Sequence, residues 1–272
     1  MLTEKFFDAG DATINYAEGS SNGEPLVMLH GGTAHWQQLS SLITELDQNW
    51  HIYACDKRGH GKSSHTKPYR VIDSIPDTVE FIKRNVGKSS VLLGHSGGAV
   101  IAMGVAAKIP ELIRALILLD PPICLREESI KTVSAYKYFL GVYTILTYQQ
   151  TAESVFSNVF PGIDEAGIQY LKDMVSQVDP EYVKTLLDDR YFDGLGIQSI
   201  LKNITCPTLF LYGEIERGAV VRDSDVEFFL NHIPHGTVIQ ITGAGHLLQL
   251  DQPARVLELI AKFTKQIHGD LS

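Results

Sequence analysis

One serine of this chain has the surroundings that nucleophilic catalysis requires. Ser96 lies in the run Gly94-His95-Ser96-Gly97-Gly98, which fits the pattern G-x-S-x-G. A short apolar segment, Val91–Leu93, precedes the run, and small and apolar residues follow it over a helical length. The sequence therefore predicts a buried strand, a sharp turn with Ser96 at its apex, and a buried helix.

The glycines around Ser96 have a physical reason. A serine held in a strained turn needs small neighbours where the chain doubles back. The helix that follows offers unpaired N–H groups and the positive end of its dipole, which favour an oxyanion near the serine. We expect the N–H of Gly97 to be one donor. G-x-S-x-G also arises by chance, so the flanking strand and helix favour the catalytic interpretation over a structural turn.

A second glycine-rich turn follows the predicted strand Pro25–Leu29. It reads His30-Gly31-Gly32, and glycines directly after a core strand let backbone N–H groups face a ligand. We predict the N–H of Gly32 as the second oxyanion donor, with an ordinary strand-to-helix turn as an equal alternative. His30 itself is expected to be a packed, hydrogen-bonded histidine, and His95 is expected to point away from Ser96.

A serine nucleophile needs a base, and the base needs a group that orients it. His246 follows the last predicted strand in the loop Gly243-Ala244-Gly245-His246, which could bring it over the sheet. The order serine, acid, histidine is that of the Ser-His-acid enzymes with a G-x-S-x-G turn. We therefore predict that His246 is the base.

Two carboxylates could orient His246. Glu216 lies in the turn after the strand Leu209–Tyr212, from which it could reach the histidine loop, and it is the favoured candidate. Asp120 ends another core strand, Arg114–Leu119, and is the rival. The choice between the two stays open at the level of sequence.

Short apolar strands alternate with helical segments through most of the chain. The predicted strands lie at 5–8, 12–18, 25–29, 51–55, 91–93, 114–119, 206–212 and 237–241, and the predicted helices at 36–46, 75–86, 99–109, 225–233 and 253–267. The first two strands predict a hairpin. Nearly continuous apolar strands separated by helices predict a mostly parallel sheet covered on both faces.

This alternation breaks after Pro122. No comparable buried strand follows until about residue 203, and helical stretches are predicted at 130–148, 151–159, 165–176 and 180–190. We predict an inserted helical lid over residues 123–203 and an α/β core formed by residues 1–122 and 204–272. The aromatic residues of the lid are expected to pack it onto the core, and some to line an apolar pocket. They include Tyr136, Tyr138, Phe139, Tyr143, Tyr148, Phe156 and Phe160.

The loop Asp56-Lys57-Arg58-Gly59-His60-Gly61-Lys62-Ser63 follows the fourth predicted strand. It is short, polar and glycine-rich. We expect Asp56 and Arg58 to pair and to pin the loop near the edge of the sheet, which is a structural role and not a catalytic one.

The composition excludes several classes of protein. A net charge of −9 argues against a nucleic-acid partner and provides no polybasic patch for a membrane surface. No apolar run could span a bilayer and no signal peptide is evident, so we expect a cytoplasmic protein. Cys55, Cys124 and Cys206 form neither a disulfide framework nor a zinc pattern, and no metal or organic cofactor is expected. The oligomeric state stays open, a homodimer included.

Taken together, the motifs at 30–32, 56–63, 94–98 and 243–246 resemble those of the α/β-hydrolase superfamily. The resemblance covers roughly residues 12–122 and 204–268 and points to its capped branch of esterases, lactonases and C–C bond hydrolases. It implies the α/β-hydrolase fold, a mostly parallel twisted sheet with helices on both faces and an inserted lid. A serine rather than an aspartate at the turn argues against haloalkane dehalogenase and epoxide hydrolase chemistry. The family commonly has G-x-x-D after the seventh core strand, where this chain has Gly213-Glu214-Ile215-Glu216.

The resemblance and the residues together predict a serine hydrolase of a small or medium carboxylic ester or lactone. Ser96 would attack the carbonyl, His246 would take the serine proton, and Glu216 would orient the histidine. The N–H groups of Gly32 and Gly97 would hold the oxyanion. Two alternatives remain: a C–C bond hydrolase of a diketone-like substrate, which would turn over simple esters slowly, and a ligand receptor, which a fluorophosphonate would label without ester turnover.

Overall fold

The computed structural model describes residues 2–123, 129–132, 135–148 and 150–269. It contains an eight-stranded sheet with the strand order β1-β2-β4-β3-β5-β6-β7-β8. The strands are Thr3–Asp8 (β1), Thr13–Glu18 (β2), Glu24–Leu29 (β3), Trp50–Cys55 (β4), Ser90–His95 (β5), Ile113–Leu119 (β6), Thr208–Tyr212 (β7) and Thr237–Gln240 (β8). β1, β2 and β4 pair antiparallel, and all other neighbours pair parallel. The predicted opening hairpin and mostly parallel sheet are confirmed.

The helices lie between these strands, as the alternation predicts. They are Ser40–Leu46 (α1), Val71–Glu80 (α2), Gly97–Lys108 (α3), Tyr136–Tyr148 (α4), Ala152–Val159 (α5), Glu165–Val175 (α6), Pro180–Leu187 (α7), Ile197–Lys202 (α8), Asp223–His232 (α9), Leu248–Asp251 (α10) and Pro253–Gly269 (α11). A 3₁₀ turn precedes α1 over Trp36–Leu39, and α2 continues as a π-helical stretch over Phe81–Val86. α2 begins four residues earlier than predicted, so Pro76 lies in its interior and not in its first turn.

Alternate residues of the buried strands face two hydrophobic layers. Val27 and Leu29 of β3 pack in the layer formed with α2, α3, α8 and α9. Leu26 and Met28 pack in the opposite layer, with α1, α10 and α11. Both faces of the sheet are therefore covered, which accounts for the nearly continuous apolar strand sequences. Burial on both faces also holds the ends of the parallel strands in fixed positions.

In the described residues between β6 and β7 the regular elements are helices, joined by turns and loops. This helical segment contains α4 to α8, of which the sequence prediction missed α8, and a 3₁₀ turn at Ile130–Thr132 in place of the start of the predicted helix 130–148. α4 packs on α7, and α8 packs on α3 of the core. The division into core and lid domains remains a prediction, and Cys124 lies outside the described residues.

Candidate active site

Ser96 occupies a strained turn between β5 and α3. Its backbone has φ 53° and ψ −124°, outside the regions that a residue with a Cβ ordinarily adopts. Its N–H donates to the Leu119 carbonyl at 2.9 Å, which ties the turn to the end of β6. A Cβ on Gly98 would lie 2.4 Å from the His30 carbonyl oxygen, so only glycine fits there. The strand, turn and helix predicted around Ser96 are therefore present.

His246 is paired with Asp120. The Nδ1 of His246 lies 2.6 Å from the Asp120 Oδ2, and the aspartate side chain is fully buried. The Asp120 carboxylate also accepts the backbone N–H groups of Gly213 and Val220, at 3.2 and 2.9 Å. With Nδ1–H donated to the carboxylate, the lone pair of His246 is on Nε2, the nitrogen that a general base uses.

The structure does not bring Glu216, the favoured candidate for this acid, to His246. Glu216 lies in a 3₁₀ turn, Ile215–Arg217, in which no residue is buried, and the carboxylate on His246 is that of the rival, Asp120. The short turn after β7 directs Glu216 outward, whereas Asp120 directly follows β6, the strand beside Ser96. The backbone explains the difference, because Asp120 adopts φ 45° and its carboxylate is held by two amides.

The histidine loop is anchored to the turn after β7. The Glu214 N–H donates to the Ala244 carbonyl at 2.7 Å, and the Gly245 N–H donates to Asp251 at 2.7 Å. A Cβ on Gly245 would lie 2.2 Å from the Arg217 carbonyl oxygen, so the close approach of the two turns requires glycine. This packing holds His246 over the carboxyl ends of the central strands.

The two histidines beside the glycine turns are structural, as predicted. His30 is fully buried, its Nδ1 donates to the Gly31 carbonyl at 2.7 Å, and its Nε2 accepts the Lys57 N–H at 3.0 Å. His95 Nε2 lies 2.8 Å from the His246 carbonyl oxygen, so this ring supports the backbone of the candidate base. Burial lowers the pKa of both histidines well below the ordinary value, which keeps them neutral.

Tyrosine hydroxyls from the helical segment lie close to the two glycines that carry the candidate oxyanion donors. A Cβ on Gly32 would lie 3.0 Å from the Tyr182 hydroxyl, and one on Gly97 would lie 2.7 Å from the Tyr191 hydroxyl. In the part of the chain that the structure describes, neither the Gly32 nor the Gly97 N–H pairs with a backbone carbonyl. Burial raises the pKa of Tyr191 to about 12 and that of Tyr182 well above its ordinary value, so both hydroxyls remain protonated donors.

Of the predicted lid aromatics, one contacts the His-Gly-Gly turn and another contacts Thr33, the residue that follows it. The Tyr138 hydroxyl lies 2.8 Å from the Thr33 Oγ1, and Phe139 lies against Gly32. Tyr148, by contrast, is 70% exposed. Tyr182 and Tyr191 were not among the predicted aromatics, although they lie nearest the glycines.

The predicted pair between Asp56 and Arg58 is absent. Arg58 instead forms a bidentate ion pair with Asp77 of α2, with both N–O distances at 2.6 Å. Asp56 accepts the Trp36 and Lys62 N–H groups at 2.8 and 3.0 Å. The planar guanidinium of Arg58 forms two hydrogen bonds with the Asp77 carboxylate in a neighbouring element. We infer that this bidentate geometry is more favourable than a contact with Asp56, which lies two positions away in the same loop. The loop is pinned as expected, but by different partners.

Lys57, between these two residues, is buried with no hydrogen-bond or ion-pair partner among the described residues. The residue is only 5% exposed, and its Nζ makes no hydrogen bond within the described residues. The Nζ lies 5.4 Å from the centre of the Tyr182 ring. Burial lowers the pKa of Lys57 to about 7. An unpaired buried ammonium group is costly, which distinguishes Lys57 from the other residues of its loop.

Lys57→Met is expected to remove a pH dependence of stability. A lysine has a pKa near 10.4 in the unfolded chain, against about 7 in the folded one. Between these values the unfolded chain binds more protons at this residue, so the cost of burying it is full at and below about pH 7 and falls away as the pH rises toward about 10. The stability gained by Lys57→Met should therefore be largest at and below about pH 7 and shrink by at most about 1.4 kcal/mol per pH unit above it.

Urea unfolding of both proteins between pH 6.5 and 9.5 measures this difference. Lys62→Met is the matched control, because Lys62 belongs to the same loop and its side chain is 53% exposed. A Lys57→Met difference that did not vary with pH would show that the folded chain does not lower the pKa of this lysine.

Among the residues that the structure describes, no three histidine, cysteine, aspartate or glutamate side chains converge as metal ligands would. Of the helices in these same ranges, none combines the length and the apolar character that crossing a bilayer demands. Cys55 and Cys206 are both free and buried.

Comparison with known proteins identifies the family. Residues 26–259 match the model of the alpha/beta hydrolase family, so the chain belongs to that family. It is 25% identical to epoxide hydrolase 4 of Homo sapiens, over 93% of this chain and 76% of that protein. It is 24% identical to 2-(acetamidomethylene)succinate hydrolase of Mesorhizobium japonicum, over 94% and 93%. The structure of N-formylmaleamic acid deformylase from Pseudomonas putida S16 superposes with a TM-score of 0.77 at 21% identity, covering 92% and 96% of the two chains.

The α/β-hydrolase fold and membership of a family of hydrolases are thereby shown.

Proposed function

We propose that this protein is a serine hydrolase that cleaves a small or medium carboxylic ester or lactone through an acyl-enzyme intermediate. The observation that carries the proposal is the 2.6 Å contact between His246 and the buried Asp120, at the same edge of the sheet as the strained turn of Ser96. The His246 ring, held in one tautomer by a buried carboxylate, lies 4.8 Å, centroid to centroid, from that of His95, the residue before Ser96, and such a histidine suits the activation of a serine hydroxyl.

In the proposed reaction, His246 Nε2 takes the proton of Ser96 as the Oγ attacks the carbonyl carbon. Asp120 stabilises the imidazolium that forms. The N–H groups of Gly32 and Gly97 donate to the oxyanion, and the helix dipole of α3 favours the negative charge there. The protonated His246 then gives its proton to the leaving alcohol, and later activates the water that releases the acid.

The relatives widen the range of bonds that should be tested. One is named a hydrolase of an acetamido compound and another a deformylase, which favours amides as a second class of acyl substrate. Epoxide hydrolase 4 is also similar, but Ser96 stands where that chemistry would need an aspartate, so we do not propose it for this chain.

The proposal is tested by hydrolysis of p-nitrophenyl esters with acyl chains of two to ten carbons, alongside lactones and p-nitroanilides. We expect ester turnover with a burst of p-nitrophenol equal to the enzyme concentration where deacylation limits the rate. The chain length with the highest kcat/KM gives the size of the acyl site. Failure to turn over esters, lactones and anilides alike would contradict the proposal.

A further inference from the structure

The mechanism proposed above gives no role to Lys57, a buried ionisable residue. Lys57 belongs to the loop after β4, and its Nζ is shielded from solvent without a hydrogen-bond acceptor among the described residues. Its neighbours Asp56 and Arg58 have their own partners, in Asn15 and Asp77. No ion pair of the described structure includes Lys57, so the face of the Tyr182 ring, whose centre lies 5.4 Å from the Nζ, is the contact that the described residues offer its buried charge.

Lys57 lies close to the candidate active site. Its Nζ is 5.4 Å from the centre of the Tyr182 ring, and the Tyr182 hydroxyl lies close to Gly32. The charge of Lys57 also contributes to the lowered pKa of His30 and of His95, the residue before Ser96. The ammonium group is therefore separated from the proposed oxyanion site by little more than one tyrosine side chain.

A second buried polar atom without a hydrogen-bond partner among the described residues lies against the same tyrosine. The ring of His60 contacts that of Tyr182, with centroids 4.1 Å apart, and its Nε2 is buried without a partner in the described structure. His60 Nδ1 donates to the Arg58 carbonyl at 3.0 Å, and burial lowers the pKa of this histidine well below the ordinary value. The ring is therefore neutral, with an acceptor lone pair on Nε2.

We propose that Lys57 binds a carboxylate of the substrate, so that the preferred substrate is an acidic ester, amide or lactone. A substrate carboxylate bound beside Tyr182 would give the buried ammonium group a hydrogen-bonding partner of opposite charge, which it lacks among the described residues. One lysine beside neutral histidines matches one negative charge, as in a carboxylate, better than a phosphate dianion. This inference rests on the proposed function for the position of the reacting bond.

The test compares matched acidic and neutral substrates. On the acyl side, the p-nitrophenyl half-esters of succinic, glutaric and adipic acid are compared with p-nitrophenyl esters of the same chain length that end in a methyl group. On the leaving-group side, 4-acetoxybenzoate is compared with 4-acetoxybenzamide. The enzymes are the wild type, Lys57→Met and the control Lys62→Met, whose lysine is exposed and paired with Glu4.

We expect the wild type and Lys62→Met to prefer the acidic member of at least one pair. Lys57→Met should lower kcat/KM for that acidic substrate about 10- to 100-fold, the usual worth of a hydrogen bond to a charged group. It should leave kcat/KM for the neutral partner within about threefold, because the proposed nucleophile, base and acid are untouched. An unchanged acid-to-neutral ratio in Lys57→Met, in every pair, would overturn the inference.

A binding measurement keeps this inference separate from the proposed function. Glutarate should raise the thermal midpoint of the wild type and of Lys62→Met, but not that of Lys57→Met, and the neutral glutaramide should raise none of them. If no ester is hydrolysed but this pattern is found, the serine mechanism fails and the carboxylate site stands. If neutral esters are hydrolysed and glutarate acts equally on all three proteins, the serine mechanism stands and the carboxylate site fails.

Discussion

Asp120→Asn is expected to lower kcat for ester hydrolysis by about 10³- to 10⁴-fold, while Glu216→Gln leaves it close to the wild-type value. Asp120 accepts the Nδ1–H of His246 at 2.6 Å and is fully buried. An asparagine at 120 can turn its N–H₂ toward the ring, which reverses the tautomer and occupies Nε2 with the proton. Glu216 lies in the exposed turn after β7 and has no such contact with the histidine.

Steady-state kinetics with one p-nitrophenyl ester measure both variants. Asp120 also accepts two backbone N–H groups, so thermal unfolding must show that Asp120→Asn is folded at the assay temperature. Retained activity in Asp120→Asn together with loss in Glu216→Gln would return the role of the acid to Glu216, and the pairing described here would then not be the catalytic one.

Ser96→Ala is expected to have an equal or larger effect, lowering kcat on the order of 10⁴- to 10⁶-fold. Alanine removes only the Oγ and keeps a Cβ in the same strained conformation of φ 53°. Stability should therefore change little, and the loss should be in kcat. Because the serine, histidine and aspartate act as a unit, the double variant Ser96→Ala, Asp120→Asn should be no less active than Ser96→Ala alone.

The same ester assay, run at high enzyme concentration to reach the residual rate, checks this prediction. Ser90→Ala is a matched control, because Ser90 is a buried serine at the opposite end of β5. A Ser96→Ala enzyme with more than a few per cent of wild-type kcat would exclude Ser96 as the nucleophile. A double variant far below Ser96→Ala would show that Asp120 acts independently of the serine.

Local sequence features predicted most of the fold. Apolar runs such as Leu26–Leu29 and Leu116–Leu119 are buried on both faces of the sheet, and their pattern distinguishes them from amphipathic helices. The turn around Ser96 was predictable for the same reason, since its glycines, its strand and its helix are all adjacent in sequence. Boundaries were less exact, as at α2, because packing on α3 extends that helix by four residues before the predicted start.

The acid could not be chosen from the sequence. Asp120 and Glu216 both follow a core strand, and only the backbone after the strand decides which carboxylate turns inward. That backbone depends on the amides of Gly213 and Val220, about 100 residues from Asp120. The family pattern favoured an acid in the turn after β7, whereas the structure pairs His246 with Asp120, at the end of β6.

The sequence also did not reveal residues whose positions depend on packing between distant segments of the chain. Tyr182 and Tyr191 lie in the helical segment, and only the tertiary packing brings their hydroxyls close to Gly32 and Gly97. Lys57 had no signal beyond its place in a polar loop, where a lysine is ordinarily solvated. The packing of Tyr182 against Lys57 could be recognised only from the tertiary structure.

The most direct test of the account is the mass of the covalent intermediate. Intact-mass spectrometry and peptide mapping after reaction with a fluorophosphonate, and after rapid acid quenching during p-nitrophenyl ester turnover, locate the modified residue. We predict one phosphonyl or acyl group per chain, on the peptide that contains Ser96, absent in Ser96→Ala and formed much more slowly in Asp120→Asn. Ester turnover with no adduct, or an adduct that persists in Ser96→Ala, would contradict a serine mechanism at this site.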